Sequence, residues 1–198
     1  MPRIVDPVAR RTELADAVWR VIQRDGLDQA SVRQVASEAG LSVGSLRHYF
    51  SSQSELLVFA LDLVGEQLSE RISGIDQSGE PRRVVVAMIE EMLPLDTDRR
   101  AECEVWVAFA ARSLVDDALA TVQGDINHRL AVAFRFMIDY LADAGLLRED
   151  LDRAVEAERL YSLVDGLILH GILGHDRLSI DFMRKVVERH VEEMTSMP

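Results

Sequence analysis

The stretch Ser31–Phe50, "SVRQVASEAGLSVGSLRHYF", restricts the fold more than any other part of the chain. It reads as two short helices joined by a tight turn. Ser31 stands three residues ahead of Gln34, the spacing of a capping box, and Gly40 can take the positive φ that ends the first helix. Val35, Ala39, Leu41, Leu46 and Tyr49 are the apolar positions expected to face inward, and Ala36 is small where the two helices come closest. Two helices crossing steeply need this arrangement. A helix-turn-helix over about residues 31–50 is therefore expected.

Its second helix is weakened on purpose. Gly44 in its middle costs about 1 kcal/mol against alanine. Ser42, Val43, Gly44 and Ser45 are all small, so this helix can sit deep in the major groove of DNA with backbone N–H groups near a phosphate. The alternative is that Gly44 is merely tolerated. Leu46, with Tyr49 or Phe50, anchors the helix inward and leaves Arg47 and His48 exposed. Arg47 can bond guanine O6 and N7, or it can pair with Glu38 as an ordinary surface arginine. Tyr49 has a hydroxyl for a phosphate, Arg33 points to the same groove edge, and Arg10 and Arg11 are placed to clamp the DNA backbone.

Charge is distributed to match. The chain of 198 residues carries −12 overall. Residues 1–50 hold seven arginines against six carboxylates, whereas the remainder holds 15 basic and 28 acidic side chains. A near-neutral, arginine-bearing end suits a polyanion, and the acidic remainder is kept away from it.

The rest of the chain is helical. Residues 8–25 put Leu14, Val18, Val21 and Ile22 on one face and stop at Gly26. Ser52 and Glu55 open a helix from about Gln53 to Ile72. "SGIDQSGEP" (Ser73–Pro81) is a linker. Beyond it five helices are expected, at about 82–92, 100–113, 116–144, 152–173 and 179–195. The fold class is all-α, about nine helices, with a three-helix head at 8–68 and a body at 81–198.

The head resembles the DNA-binding domain of the TetR family of bacterial transcription regulators. The resemblance rests on "DQASVRQVASEAGLSVGSLRHYFSSQSELL", with Ser31, Val35, Ala36, Ala39–Gly40, Leu46, Tyr49–Phe50 and Leu56 at the family's positions. It implies a three-helix head, a fourth helix linking it to an all-helical body, and a homodimer that reads a pseudo-palindromic operator on double-stranded DNA. Two positions depart from the common pattern. Arg47 stands where many members have tyrosine, and Gln53 where many have lysine, so the base preference does not carry over.

The body is expected to bind a small-molecule effector and to dimerise through its last two helices. Leu160, Leu163, Val164, Leu167, Ile168 and Ile172 cover more than one stripe of the penultimate helix, enough to face both its own subunit and a partner. Candidate effector contacts are Met88, Trp106, Phe109, Arg112, Asn127, Phe134, Met137, Tyr161 and Asp165, although the Met and aromatic members also suit an ordinary core. Most relatives of this kind repress, so an effector-released repressor is expected, with no cofactor or metal. The chain shows no G-x-S-x-G, H-E-x-x-H, P-loop or dinucleotide motif, and lone Cys103 reads as a buried hydrophobe. A helical ligand-binding or scaffold protein without operator binding is the alternative, and a hydrolase with a non-contiguous site is a weaker one. No apolar run is long enough to span a membrane, and a cytoplasmic protein is expected.

Overall fold

Side-chain oxygens decide where most of the helices begin. In the computed structural model, which describes residues 7–174 and 178–195, nine α-helices are present: α1 Pro7–Asp25, α2 Val32–Glu38, α3 Val43–Leu46, α4 Gln53–Ser73, α5 Pro81–Glu90, α6 Thr97–Ser113, α7 Asp117–Asp143, α8 Arg153–Leu173 and α9 Ile180–Met194. Ser31, Ser42, Ser52, Glu80, Asp96, Asp116, Asp152 and Ser179 each accept a hydrogen bond from a backbone N–H of the first turn. This fills donors that a helix start otherwise leaves to water. The Asp96 cap starts α6 three residues earlier than its apolar pattern predicts. The last residues of the expected body unit, 196–198, lie outside the described residues.

Both capping pairs differ in detail from the reciprocal box. Ser31 Oγ accepts from Gln34 N (3.3 Å), and Gln34 Oε1 returns only to the Ser31 hydroxyl (3.4 Å). Glu55 reaches one residue further back than expected, accepting from Ser51 N (2.6 Å) and Ser51 Oγ (2.7 Å). The turn after α2 closes as the sequence requires: Gly40 has φ +65°, and Leu41 N–H donates to Ala36 O (2.8 Å).

Two cores share two helices, α6 and α7. Leu14, Val18 and Val21 of α1, Val35 and Ala36 of α2, Leu46 of α3, and Leu56 and Ala60 of α4 form the head core. Val105 and Phe109 of α6 and Leu119 of α7 belong to that same core. Residues of α5, α7, α8 and α9 form the second core, which includes Cys103 of α6. Thus α6 and α7 are packed into both. Gln23 also donates to Asp98 (2.8 Å) and Ser54 to Asp116 (2.8 Å), tying the head to the starts of α6 and α7. In the body, Gly171 lets α8 pass Pro94, whose Cγ a Cβ at that position would meet at 2.8 Å.

Of the α8 residues expected to face both ways, Leu160, Val164, Leu167, Ile168 and Ile172 are buried within the subunit, whereas Leu163 is only partly buried and lines an outer groove with Phe182 of α9. The outward apolar stripe also includes Val155, Leu169 and Leu173, all exposed, as is Phe182. Leu160, Val164 and Leu167 belong to the body core formed with α5, α7 and α9.

Phe109 is fully buried in the core that joins head and body. Phe109→Ala is expected to lower the unfolding free energy by about 3–5 kcal/mol. Urea denaturation followed by circular dichroism and by tryptophan fluorescence checks this; both probes should shift together.

Candidate nucleic-acid interface and body cavity

Helix α3 is held by two side chains. Leu46 is wholly buried and Phe50 is 6% exposed, its ring 5.0 Å from that of Phe59 on α4. Tyr49 is 51% exposed, so the inward anchor is Phe50 and not Tyr49. Only one α-turn is formed; beyond Leu46 the chain tightens, with His48 N–H to Ser45 O and Tyr49 N–H to Leu46 O, and Phe50 N–H also returns to Leu46 O at 3.0 Å. Tyr49 is left outward and Phe50 is buried.

The outward surface of α3 is small and polar. Ser42 Oγ accepts from Ser45 N–H (3.0 Å) and shares a hydrogen bond with the Ser45 hydroxyl (2.8 Å). Val43, Gly44 and Ser45 are exposed, and a Cβ on Gly44 would meet only Ser42 Oγ, at 3.8 Å. Packing within the protein therefore does not demand glycine at 44. Arg33, Arg47 and His48 are exposed too.

Which arginines stay available follows from the carboxylates. Glu38 accepts from Arg20 (2.8 Å) and Arg24 (2.7 Å), and hydrogen bonds from Arg24 first, then Arg20, lower its pKa. It is not the partner of Arg47, and neither Arg33 nor Arg47 forms an ion pair with a described residue. Arg10 and Arg11, expected to clamp the DNA backbone, lie in the first two turns of α1, and both are engaged within the protein. Arg10 pairs with Glu13 (2.7 Å); Arg11 makes a two-pronged pair with Glu66 (2.9 and 3.2 Å) and lies 5.5 Å from the Phe59 ring centre. Gln53, in the place of the usual lysine, donates to Ala30 O (2.8 Å) and so fastens the start of α4 to the residue before α2's cap.

The body contains a cavity of about 570 Å³ between α4, α6, α7 and α8. Helix α4 contributes most of its second face, from Leu61 to Ile72, including Asp62, Gly65 and Glu66. Trp106 comes from α6, Arg129 from α7, and Tyr161 and Asp165 from α8. Of the nine candidate contacts, the fold brings Trp106, Tyr161 and Asp165 to this wall. Met88, Phe134 and Met137 are buried in the body core instead, where α5 and α7 pack, and Phe109 is buried toward the head. Phe134 supports the wall from behind, its ring stacked on Tyr161 at 4.8 Å. Arg112 and Asn127 are exposed; the Asn127 amide oxygen accepts from Gln123 (2.6 Å) and, at 3.5 Å, from the Tyr161 hydroxyl.

Burial shapes the cavity's chemistry. Desolvation, followed by the charge of Glu158, pushes the Asp165 carboxyl up to about 6. Desolvation also raises Asp62, and it takes the Tyr161 hydroxyl to about 12 with help from Asp165. The Cys103 thiol is likewise pushed up to about 12 and lies 3.5 Å from Met92 O. Behind the wall, Arg71 near the end of α4 donates to both Glu102 oxygens (2.7 and 2.6 Å) and to Glu91 (2.8 Å). The wall residues of α4 were missed from sequence because α4 was read as a connector. The available signal was its second apolar stripe, Leu57, Leu61, Leu68 and Ile72.

Comparison with known proteins agrees with this geometry. A model for bacterial regulatory proteins of the tetR family matches residues 14–58, and one for the C-terminal part of BetI-type transcriptional repressors matches residues 81–196. The HTH-type transcriptional regulator PksA of Bacillus subtilis is 42% identical over 98% of this chain and 94% of its own length. BetI of Vibrio vulnificus is 26% identical over 98% and 96%. Among solved structures, a transcriptional regulator from Rhodococcus sp. RHA1 superposes with a TM-score of 0.78 and 28% identity, covering 95% of this chain and 99% of that one. A regulator from Saccharomonospora viridis, solved in complex with choline, has a TM-score of 0.80 and 24% identity, covering 96% and 100%.

Because nothing in the protein crowds Gly44, Gly44→Ala is expected to stabilise the free protein by up to about 1 kcal/mol. The same methyl group should hold the α3 backbone off a groove and weaken binding to DNA. Urea titration paired with fluorescence anisotropy on labelled duplex checks both halves; a gain in stability with unchanged DNA affinity would mark Gly44 as merely tolerated.

Proposed function

The chain belongs to the TetR family of bacterial transcription regulators, and from that premise we propose that it is a repressor that a small molecule releases from DNA. It acts in the cytoplasm as a homodimer on a pseudo-palindromic operator. Residues 8–68 form the reading unit and residues 81–198 the effector and dimerisation unit.

One observation carries this reading: the helix that supports the reading head is also a wall of the body cavity. The first half of α4 buries Leu56 and Ala60 in the head core, and Gln53 ties its start to Ala30. Its second half lines the cavity from Leu61 to Ile72. A molecule that fills the cavity must press on α4, and α4 cannot move without the head. Ligand and operator then favour different positions of one element, which is what coupling between two sites requires. A regulator of the same fold holds choline, so this architecture accommodates a small molecule. The wall suits binding rather than reaction, since burial keeps the Cys103 thiol protonated well above neutral pH.

The outward stripe of Val155, Leu169 and Leu173 on α8, with Phe182 on α9, is apolar surface that a second subunit would cover. Pairing there sets two α3 helices side by side, and two half-sites about one DNA turn apart, roughly 34–36 Å, are read together. On each α3, Ser42, Val43, Gly44 and Ser45 approach the groove, and Tyr49 bonds a phosphate. Arg47 and His48 reach base edges, with Arg33 at the groove margin.

Arg47→Ala is expected to cost about 1–3 kcal/mol at the preferred operator and much less on unrelated duplex. Anisotropy titrations at fixed moderate salt test it. Equal weakening on all sequences would remove Arg47 from base reading, and absence of any sequence-selective binding by the unaltered protein would overturn the repressor assignment itself.

A further inference from the structure

The exposed segment that carries α3 is rich in hydroxyls and poor in cations. From Ser42 to Gln53 its exposed side chains include Ser42, Ser45, Tyr49, Ser51 and Ser52, with Arg47 as the one arginine and no lysine. At the end of the segment, where α4 starts, the Gln53 amide carries no charge and is already tied to Ala30 O at 2.8 Å.

Most other arginines of the head sit in clusters of no net charge. Arg10 faces Glu13 (2.7 Å), and Arg11 faces Glu66 (2.9 Å). Arg20 and Arg24 share Glu38 (2.8 and 2.7 Å), and Arg24 also holds Asp25 (2.8 Å), so those four charges cancel. Among the described residues, Arg33 and Arg47 are the arginines of α1 to α3 that face no carboxylate at ion-pair distance.

Such exposed pairs are individually weak, but their strength is not what matters. Affinity for DNA falls with salt in proportion to the net number of counter-ions released. An arginine that leaves a carboxylate for a phosphate displaces a cation from the DNA, while the abandoned carboxylate takes one up. A hydroxyl that donates to a phosphate holds the backbone and releases none. After residue 50 the chain carries 15 basic against 28 acidic side chains, which adds no attraction.

We propose that the protein holds its operator with few released counter-ions, about two per subunit from Arg33 and Arg47, and that neutral Gln53 and the carboxylates facing Arg10, Arg11, Arg20 and Arg24 strip the head of attachment to unrelated DNA. This rests on the reading of α3 as the DNA-reading helix. Specificity then comes from hydrogen bonds and fit in the groove, and operator occupancy changes little with ionic strength. A dimer displaced from its operator has little charge to keep it on neighbouring sequence.

Anisotropy titrations of the full-length protein on two labelled duplexes test this, one selected by the protein from a random library and one of unrelated sequence. They span about 0.05 to 0.3 M salt at about pH 8, above the ordinary range of imidazole. Two uncompensated cations per subunit, at about 0.9 each, predict a log–log slope near −4 on the selected duplex for the dimer. Gln53→Lys is expected to steepen it by about 2 and to tighten binding to the unrelated duplex at least about five-fold at the lowest salt. Arg10→Ala should keep the slope within about 0.5 of wild type, with circular dichroism confirming that both variants are folded. A wild-type slope of about −5 or steeper, or one that Arg10→Ala flattens by about 2, overturns the proposal. An unchanged slope in Gln53→Lys overturns the part given to Gln53. Selective binding with a steep slope leaves the operator reading standing. Weak binding to every duplex, without selectivity, contradicts that reading and leaves the lack of sequence-independent attachment in place.

Discussion

Helix α4 is buried on two sides by two different clients, and the rest of the molecule is arranged around that fact. Leu56 and Ala60 pack into the head, while the following turns face a cavity in the body. Both parts are fastened. Toward the head, Gln53 donates a hydrogen bond to Ala30 O, Arg11 of α1 makes a two-pronged pair with Glu66, and Leu56 and Ala60 are packed in the head core. Near the end, Arg71 donates three hydrogen bonds to the carboxylates of Glu91, just after α5, and Glu102 of α6. Charge-assisted, two-pronged bonds of that kind are stiff. Movement forced on the middle of α4 is therefore carried into the head.

Helix α6 makes the coupling hard to avoid. Trp106 and Cys103 belong to the cavity side, and Phe109, two turns from Cys103, is sealed in the head core. A packed interior does not deform smoothly, so a shift of α6 or α4 at the cavity must be taken up where head and body share side chains. The reading helix at the far end resists little, being one α-turn pinned by Leu46 and Phe50. Its thinness serves close approach to a groove and leaves its position dependent on what α4 does.

Local chemistry made most of the fold legible from sequence. The Ser31 and Ser52 caps and the Gly26 and Gly40 stops are signals within a few residues, and these helices began and ended close to where those residues put them. The head was readable because its pattern of Ala36, Gly40 and Leu46 is itself local. What failed depended on distance or on a single-residue rotation. Tyr49 and Phe50 are adjacent, and only the tightened turn after Leu46 decides which is buried. Arg11 meets Glu66 across 55 residues, and nothing near either side chain announces the other. The cavity draws on five helices, α1, α4, α6, α7 and α8, and on the turn after α5, so only Trp106, Tyr161 and Asp165 of the expected contacts reached it. For α8, apolar periodicity gave the buried stripe and hid the outward one, since both lie on the same helix.

The most direct test of the shared-helix account needs no ligand. Gly65 lines the cavity from α4 and has open space where a side chain would be, so Gly65→Trp fills the cavity from its own wall. A nitroxide at Ser37→Cys, on the exposed side of α2, reports the spacing of the two reading heads by pulsed dipolar spectroscopy, while native Cys103 is buried. Without the tryptophan, the operator-bound protein should show one narrow distance, fixed by two α3 helices about one DNA turn apart. With it, the distribution should leave that value and operator affinity should fall. A filled cavity with unchanged spacing and unchanged affinity would contradict the account.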